Sequence, residues 1–237
     1  MSCALLWLEA PLQSWGADSR FGRRSTLPFP TRSGIMGLVC CALGKGGEQV
    51  EWLAKWGPLK QTIAAFARKG FRPAILRDFH MVGSGYDSKN PWQDMLIPKT
   101  SEGKRPVGGG SRITYRYYLQ DMAFACALEL PDDEMESVKN GLQSPVWNIC
   151  LGRKNCVPTE QVFRGIFEKE EDALEKALQI ANGKDRREMF RVKDGEHEGE
   201  TFVLNDVPLS FGLRKKYQDR QVTLVPAKNC EEIEALE

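Results

Sequence analysis

Histidine is scarce in this chain. His80 and His197 are the only two in 237 residues. They lie far apart and lack cysteines or carboxylates at the spacing that holds a metal. Neither a metal nor a cofactor is expected. The seven cysteines are Cys3, Cys40, Cys41, Cys126, Cys150, Cys156 and Cys230, and no two of them form a C-x-x-C pair. An odd count with no secretory signal fits a reduced, cytoplasmic setting. Long hydrophobic runs are also missing. The longest, around residues 35–43, is interrupted by Gly37 and is too short to span a membrane. The start, Cys3 to Leu8, has neither the charged head nor the cleavage site of a signal peptide. A charge excess is missing as well: 33 Lys and Arg face 32 Asp and Glu, a net +1. That excludes a uniformly basic coat. Gly44-Lys45-Gly46 lacks the spacing and the following Ser or Thr of a phosphate-binding P-loop.

What is present is segregated charge. From Met1 to Lys45, Arg20, Arg23, Arg24, Arg32 and Lys45 face only Glu9 and Asp18. From Lys99 to Leu119, Lys99, Lys104, Arg105, Arg112 and Arg116 face only Glu102. The chain after Phe167 is acidic. Such a division predicts one basic face, the footprint of an anionic partner. Hydrophobic residues make up 41% of the chain, enough for a core. The length fits one large domain or one domain with an appendage.

The order of elements defines a fold class. Residues 3–9 (CALLWLE) read as a buried strand ending at Pro11. Thr31 or Ser33 can cap a helix whose apolar residues recur over 35–43 before Gly44 stops it. A short helix at 48–56 follows, then strands at 61–68 and 72–80. Residues 81–111 are rich in glycine and proline without periodicity, which marks a functional or disordered insertion. Strands at 112–119 and 122–130, a helix from 132 to 142 and a strand at 146–151 complete a β-α-β-β-α-β order. That is the RRM or ferredoxin-like pattern of the α+β class. Beyond residue 161 a charged helix at 169–180 and strands at 190–192, 201–204 and 221–225 suggest a small β-rich C-terminal subdomain. The expected division is 1–160 for the RRM-like domain and 161–237 for that subdomain.

Three segments could carry chemistry. Phe29-Pro30-Thr31-Arg32-Ser33-Gly34 sets a helix N-terminus, whose N–H groups attract phosphate, beside Arg32. Trp15, Phe21, Arg23 and Arg24 upstream interleave rings and cations, as single-strand binders do. A solvated loop with an ordinary cap has the same composition. In Arg112-Ile113-Thr114-Tyr115-Arg116-Tyr117-Tyr118, strand alternation places Arg112, Thr114, Arg116 and Tyr118 on one side and Tyr115 and Tyr117 on the other. The pattern fits a grip on a single strand, or a hairpin whose tyrosines pack inward. Gly152-Arg153-Lys154 can bring backbone and charge near a phosphate, although many surface turns look alike. For catalysis, Cys40 and Cys41 sit in an apolar helix and are expected to be inert. His80 is the one plausible general base, and a structural histidine is the simpler reading.

Ala10-Pro11-Leu12-Gln13-Ser14-Trp15-Gly16, followed by Phe29-Pro30-Thr31-Arg32-Ser33-Gly34-Ile35-Met36-Gly37-Leu38, resembles the N-terminal signature of the Cas-five family of CRISPR Cascade subunits, in its type I-E branch. Arg77-Asp78-Phe79-His80, Thr114-Tyr115-Arg116-Tyr117-Tyr118-Leu119-Gln120-Asp121 and Leu151-Gly152-Arg153-Lys154-Asn155-Cys156 match in the same order. The resemblance implies an RRM-like domain with an inserted thumb hairpin, here 81–119. It implies a non-catalytic subunit that caps the 5′ handle of the CRISPR RNA. Its partners would be the backbone subunits, the large subunit and, through the assembled complex, target DNA, with no membrane involved. The residues it points to for RNA are Trp15, Arg23, Arg24, Arg32 and Ser33 near the first helix, Arg112, Tyr115, Arg116 and Tyr118 on the thumb, and Arg153 and Lys154 on the glycine loop. Type I-C relatives suggest a rival, a metal-independent endoribonuclease, for which His80, Tyr86 and Lys89 are the available trio. A protein-only adaptor is a third reading.

Overall fold

Strand β1 (Cys3–Glu9) is buried on both faces, which explains its unbroken apolar run. In the computed structural model, which describes residues 2–16, 22–82, 87, 89–95, 99–104 and 112–227, β1 lies at the centre of the motif. After it come two short strands, β2 (Leu12–Gln13) and β3 (Arg23–Arg24), then helices α1 (Arg32–Leu43) and α2 (Val50–Trp56) and strand β4 (Gln61–Arg68). Strands β5 (Ala74–Val82) and β6 (Arg112–Gln120) enclose a one-turn helix, α3 (Pro91–Asp94). Strand β7 (Ala123–Glu129), helix α4 (Met135–Gln143) and strand β8 (Phe163–Phe167) follow. Helix α5 (Glu170–Gly183) and strands β9 (Arg186–Asp194), β10 (Glu200–Ser210) and β11 (Lys216–Pro226) end the described chain.

The main sheet runs β10-β11-β9-β4-β7-β1-β8. Its last four strands, taken as β8-β1-β7-β4, have the fourth-first-third-second order of a ferredoxin-like motif, and every neighbouring pair is antiparallel. The expected α+β class therefore holds. The closing strand is not where the sequence placed it. Residues 146–151 pair with no strand among the described residues. Val146 N–H instead donates to Ala42 O and Trp147 N–H to Cys41 O, so this segment caps the carbonyls at the end of α1. The motif closes with β8 at 163–167, which lies beyond the expected domain boundary at 160, and β9–β11 prolong the same sheet past β4. Arg164 and Gly165 interrupt the apolar pattern of β8, which hid it from periodicity.

Helix α1 begins where expected. Thr31 Oγ1 accepts the Gly34 N–H, and Gly44 ends the helix at a left-handed φ of 68°. Gly34 is required there, because a Cβ would sit 2.9 Å from the Trp15 ring. Helices α1, α2 and α4 pack on one face of the sheet around Leu6, Leu8, Ile35, Val39, Phe124 and Val138. The other face is closed by α5, whose Ala173, Ala177 and Ala181 lie against Ala64, Ala123, Ala125 and Ala127. Small residues on both sides permit close approach. The first turn of α5 carries Glu170, Glu171 and Asp172, which complement the helix dipole. The open sheet surface that RRM proteins offer to RNA is therefore covered, and by an acidic helix.

The insertion is a hairpin of β5 and β6 standing apart from the main sheet. It begins at Ala74, earlier than the expected 81. β6 carries β5 along one edge, with β2 antiparallel and β3 parallel along the other. Tyr86 and the Gly108–Gly110 run lie outside the described residues.

Candidate nucleic-acid interface

Three pieces of chain meet beside α1. Gln13 is buried and donates from Nε2 to Leu8 O and Met122 O, while its Oε1 accepts the Trp15 indole N–H. This fixes the strand entering the 14–16 turn. Ser14 N–H donates to Leu151 O, which brings in the 151–156 loop. At Gly152, with φ +92°, a Cβ would lie 1.6 Å from Ser14 O, so only glycine permits this approach. The Arg153 guanidinium donates to Tyr117 O at 3.2 Å and Arg24 O at 2.7 Å and lies 4.6 Å from the centre of the Tyr118 ring. Asn155 donates to the Tyr118 hydroxyl. Arg153 thus ties the glycine loop to the root of the hairpin and to β3.

These ties shape two adjoining recesses. The larger, about 840 Å³, is bounded by α1, the 14–16 turn, the 147–154 segment and the turn between β10 and β11. Among the described residues it is lined by Arg24, Lys45, Arg153, Lys154 and Lys215, with no carboxylate. The smaller, about 560 Å³, lies between the hairpin and the glycine loop and holds Asp78, His80, Arg116, Tyr118 and Asn155. Gly152, Arg153 and Lys154 line both, which makes one continuous basic groove.

Most of the expected residues converge here, but not all face outward. Arg24 and Lys154 are exposed, and their charged ends make no ion pair or hydrogen bond among the described residues. Arg23 lies over the Tyr117 ring at 5.0 Å. Ser33 borders the larger recess and Arg116 the smaller. Tyr115 faces the far side of the hairpin, 5.7 Å from Phe79. The Arg112 side chain lies outside the described residues. Trp15 and Tyr118 are buried, at 1% and 2% exposure, and support the groove from beneath.

Arg32 departs furthest from its expected place. It is 4% exposed. Its guanidinium pairs with Asp194 at 3.2 Å and reaches Trp56 O, and its N–H donates to Asp206 Oδ2 at 2.7 Å. Arg220 completes the cluster, bidentate on Asp206 and paired with Asp194. The N-terminus of α1 therefore already holds an anion, the Asp206 carboxylate. Burial pushes the Arg32 pKa down against the opposing pull of Asp194. The cluster fastens β9, β10 and β11 to α1. Its two arginines and two aspartates leave no net charge for an outside phosphate.

Five of the thiols are shifted away from reactivity. Burial raises Cys3 to about 11 and Cys40 to about 12, and Cys41, Cys126 and Cys156 are raised for the same reason. None is a thiolate at neutral pH. The Nδ1 of His80 is buried without a hydrogen-bond partner. No cluster of three metal-ligating groups occurs among the described residues, and none of their helices is long and apolar enough to cross a membrane.

Against known proteins, a family model described as CRISPR-associated protein (Cas_Cas5) matches residues 3–223. The chain belongs to this family. It is 27% identical over 175 residues to the CRISPR system Cascade subunit CasD of Escherichia coli (strain K12), covering 69% of this chain and 70% of that protein. A chain from a CRISPR RNA-guided surveillance complex superposes with a TM-score of 0.70 at 31% identity, covering 95% of this chain and 90% of that one. A crystal structure of a Cas protein superposes with a TM-score of 0.61 at 25% identity, covering 94% and 95%.

In this family member, sequence reasoning missed one wall of the groove. The turn between β10 and β11 carries Arg214 and Lys215, β11 opens with Lys216 and Tyr217, and Phe211 N–H anchors the turn to Glu48 O. The run of three cations beside an aromatic was the available signal.

Proposed function

We propose that this chain is a non-catalytic, RNA-holding subunit of a type I CRISPR surveillance complex, capping the 5′ handle of the CRISPR RNA and joining the backbone and large subunits. The observation that carries this reading is the continuous groove with five cations and no carboxylate in its larger recess. RNA follows as the partner because the comparison proteins belong to Cascade and to an RNA-guided complex. Phosphates would lie along Arg24, Arg153 and Lys154, with Ser33 and Arg116 flanking, and Arg23 and Arg112 are assigned to RNA on the resemblance alone. Trp15, Arg32 and Tyr118 act from within, by holding the walls. The closed sheet face argues for this groove over the usual RRM platform.

Contact with other subunits is supported by the hairpin's outer face. Ile75, Phe79, Met81, Ile113 and Tyr115 share one side by register and are exposed. An apolar patch of this kind marks a protein-interaction surface.

The test is incubation of the purified chain with labelled repeat RNA, without divalent metal, following retention and integrity together. Retained, intact RNA is expected. A specific cut that disappears in His80→Ala would replace this reading with the endoribonuclease one, since His80 lines the smaller recess and that chemistry needs a general base.

A further inference from the structure

Several glycines among the described residues have an internal reason. Gly34 avoids Trp15, Gly141 avoids Leu43, Gly152 avoids Ser14 O, and Gly44 combines a left-handed φ with contact to Val146. Gly37 has none. It lies in the middle of α1, its φ is not in the left-handed region, and a Cβ there would meet nothing within 4 Å. Glycine is a poor residue for a helix interior, so its use where alanine would fit calls for a cause outside the chain. Gly37 lines the larger recess, where the bare helix backbone faces open space.

Flat rings line the same recess. Trp147 is 48% exposed although its backbone is fixed to Cys41 O. Tyr217 enters from β11, beside Lys215 at the β10–β11 turn. An exposed tryptophan on a rigid segment, a tyrosine and a lysine around a bare stretch of helix suit a planar, aromatic, anionic ligand. A volume of about 840 Å³ is ample for one nucleotide.

We infer that Gly37, Trp147 and Tyr217 form a slot for one unpaired nucleobase of the bound RNA, with Lys215 on the adjoining phosphate. The inference rests on the RNA-holding reading and makes the C-terminal hairpin part of the binding surface. The base lies against the α1 backbone, where any side chain at position 37 would exclude it. The ionic cluster around Arg32 acts as a positioning device, since it fastens β10 and β11 to α1 and so sets the width of the slot.

The experiment compares Gly37→Ala, Gly37→Leu, Tyr217→Ala and the Arg24→Ala/Lys154→Ala double variant of the full chain. Each is measured for melting temperature and for affinity to labelled repeat RNA. Gly37→Ala should melt higher than the parent yet bind RNA more weakly, a divergence that a purely structural role would not produce. Gly37→Leu and Tyr217→Ala should lose about tenfold or more in affinity, in the range of one stacked base. An RNA series with one abasic site moved along the handle should then contain a single position at which Gly37→Leu and the parent bind equally. Unchanged affinity in the Gly37 and Tyr217 variants, or weakening at every abasic position alike, overturns the slot. If the double variant is weakened in that case, the RNA-holding reading survives. If the double variant also binds like the parent, that reading falls as well.

Discussion

Arg24 and Arg32 are near neighbours in sequence and have opposite environments. Arg32 is enclosed with Asp194, Asp206 and Arg220 in a neutral cluster that joins α1 to the C-terminal strands. Arg24, with Lys154, stands exposed on a groove whose larger recess has no carboxylate. Both patches are rich in arginine, and a sequence scan scores them alike. Only the second has charge available to a phosphate. The difference arises from partners more than 150 residues downstream, which local composition does not reveal. Arg153 stands between the two regions: it faces the groove, yet two backbone carbonyls engage its guanidinium.

The sharpest break of this comparison is Arg220→Ala. It leaves the buried Asp206 and the half-buried Asp194 with one cation, and removal of one partner from such a cluster costs about 3–5 kcal/mol. Denaturant titration should show that loss, with RNA affinity of the folded fraction falling only as far as the β10–β11 wall shifts. Next in size is Arg153→Lys. An ammonium cannot reproduce the two-carbonyl fork, and two hydrogen bonds to a charged group suggest a loss of about 1–3 kcal/mol. Arg153→Lys should therefore lower both the unfolding free energy and RNA affinity, although charge is conserved. The Arg24→Ala/Lys154→Ala pair should change unfolding free energy by less than about 0.5 kcal/mol while weakening RNA binding at every salt concentration tested. A loss of stability there comparable to Arg220→Ala would erase the distinction.

The smallest effect separates the regions by pH. Burial raises the Glu9 carboxyl, but hydrogen bonds from Trp7, Arg186 and Lys184 outweigh it, and the net shift is below its ordinary 4.5. Glu160 is lowered chiefly by its hydrogen bond from Lys184. A depressed carboxyl stabilises the fold fully above its unfolded value, and that contribution is lost as pH falls through the folded value. Denaturation midpoints should thus decline below about pH 4.5. RNA affinity of the folded chain should not follow that decline, because neither Glu9 nor Glu160 lines the groove.

Legibility followed the range of the forces involved. The Thr31 cap, the α1 periodicity and the alternation of β6 are local, and each was readable. The β-α-β-β-α-β order was readable too, because β1, β4 and β7 are strongly apolar. Residues 146–151 looked like a strand because they are largely apolar, but the Val146 and Trp147 N–H groups cap α1. Strand β8 was obscured by Arg164 and Gly165. The closure of the sheet face depends on alanines in α5 meeting alanines in β4 and β7, a match between distant segments. The glycine loop was legible as Gly152-Arg153-Lys154, whereas the slot proposed at Gly37 depends on the β10–β11 turn being brought beside α1.

The most direct test of the central claim is the salt dependence of RNA affinity for the full chain. The five cations of the larger recess, each on one phosphate of single-stranded RNA, predict a slope of log K against log salt of roughly −3.5, from about −0.7 per neutralised phosphate. A slope near zero would contradict the account, because the groove would then hold no phosphate backbone.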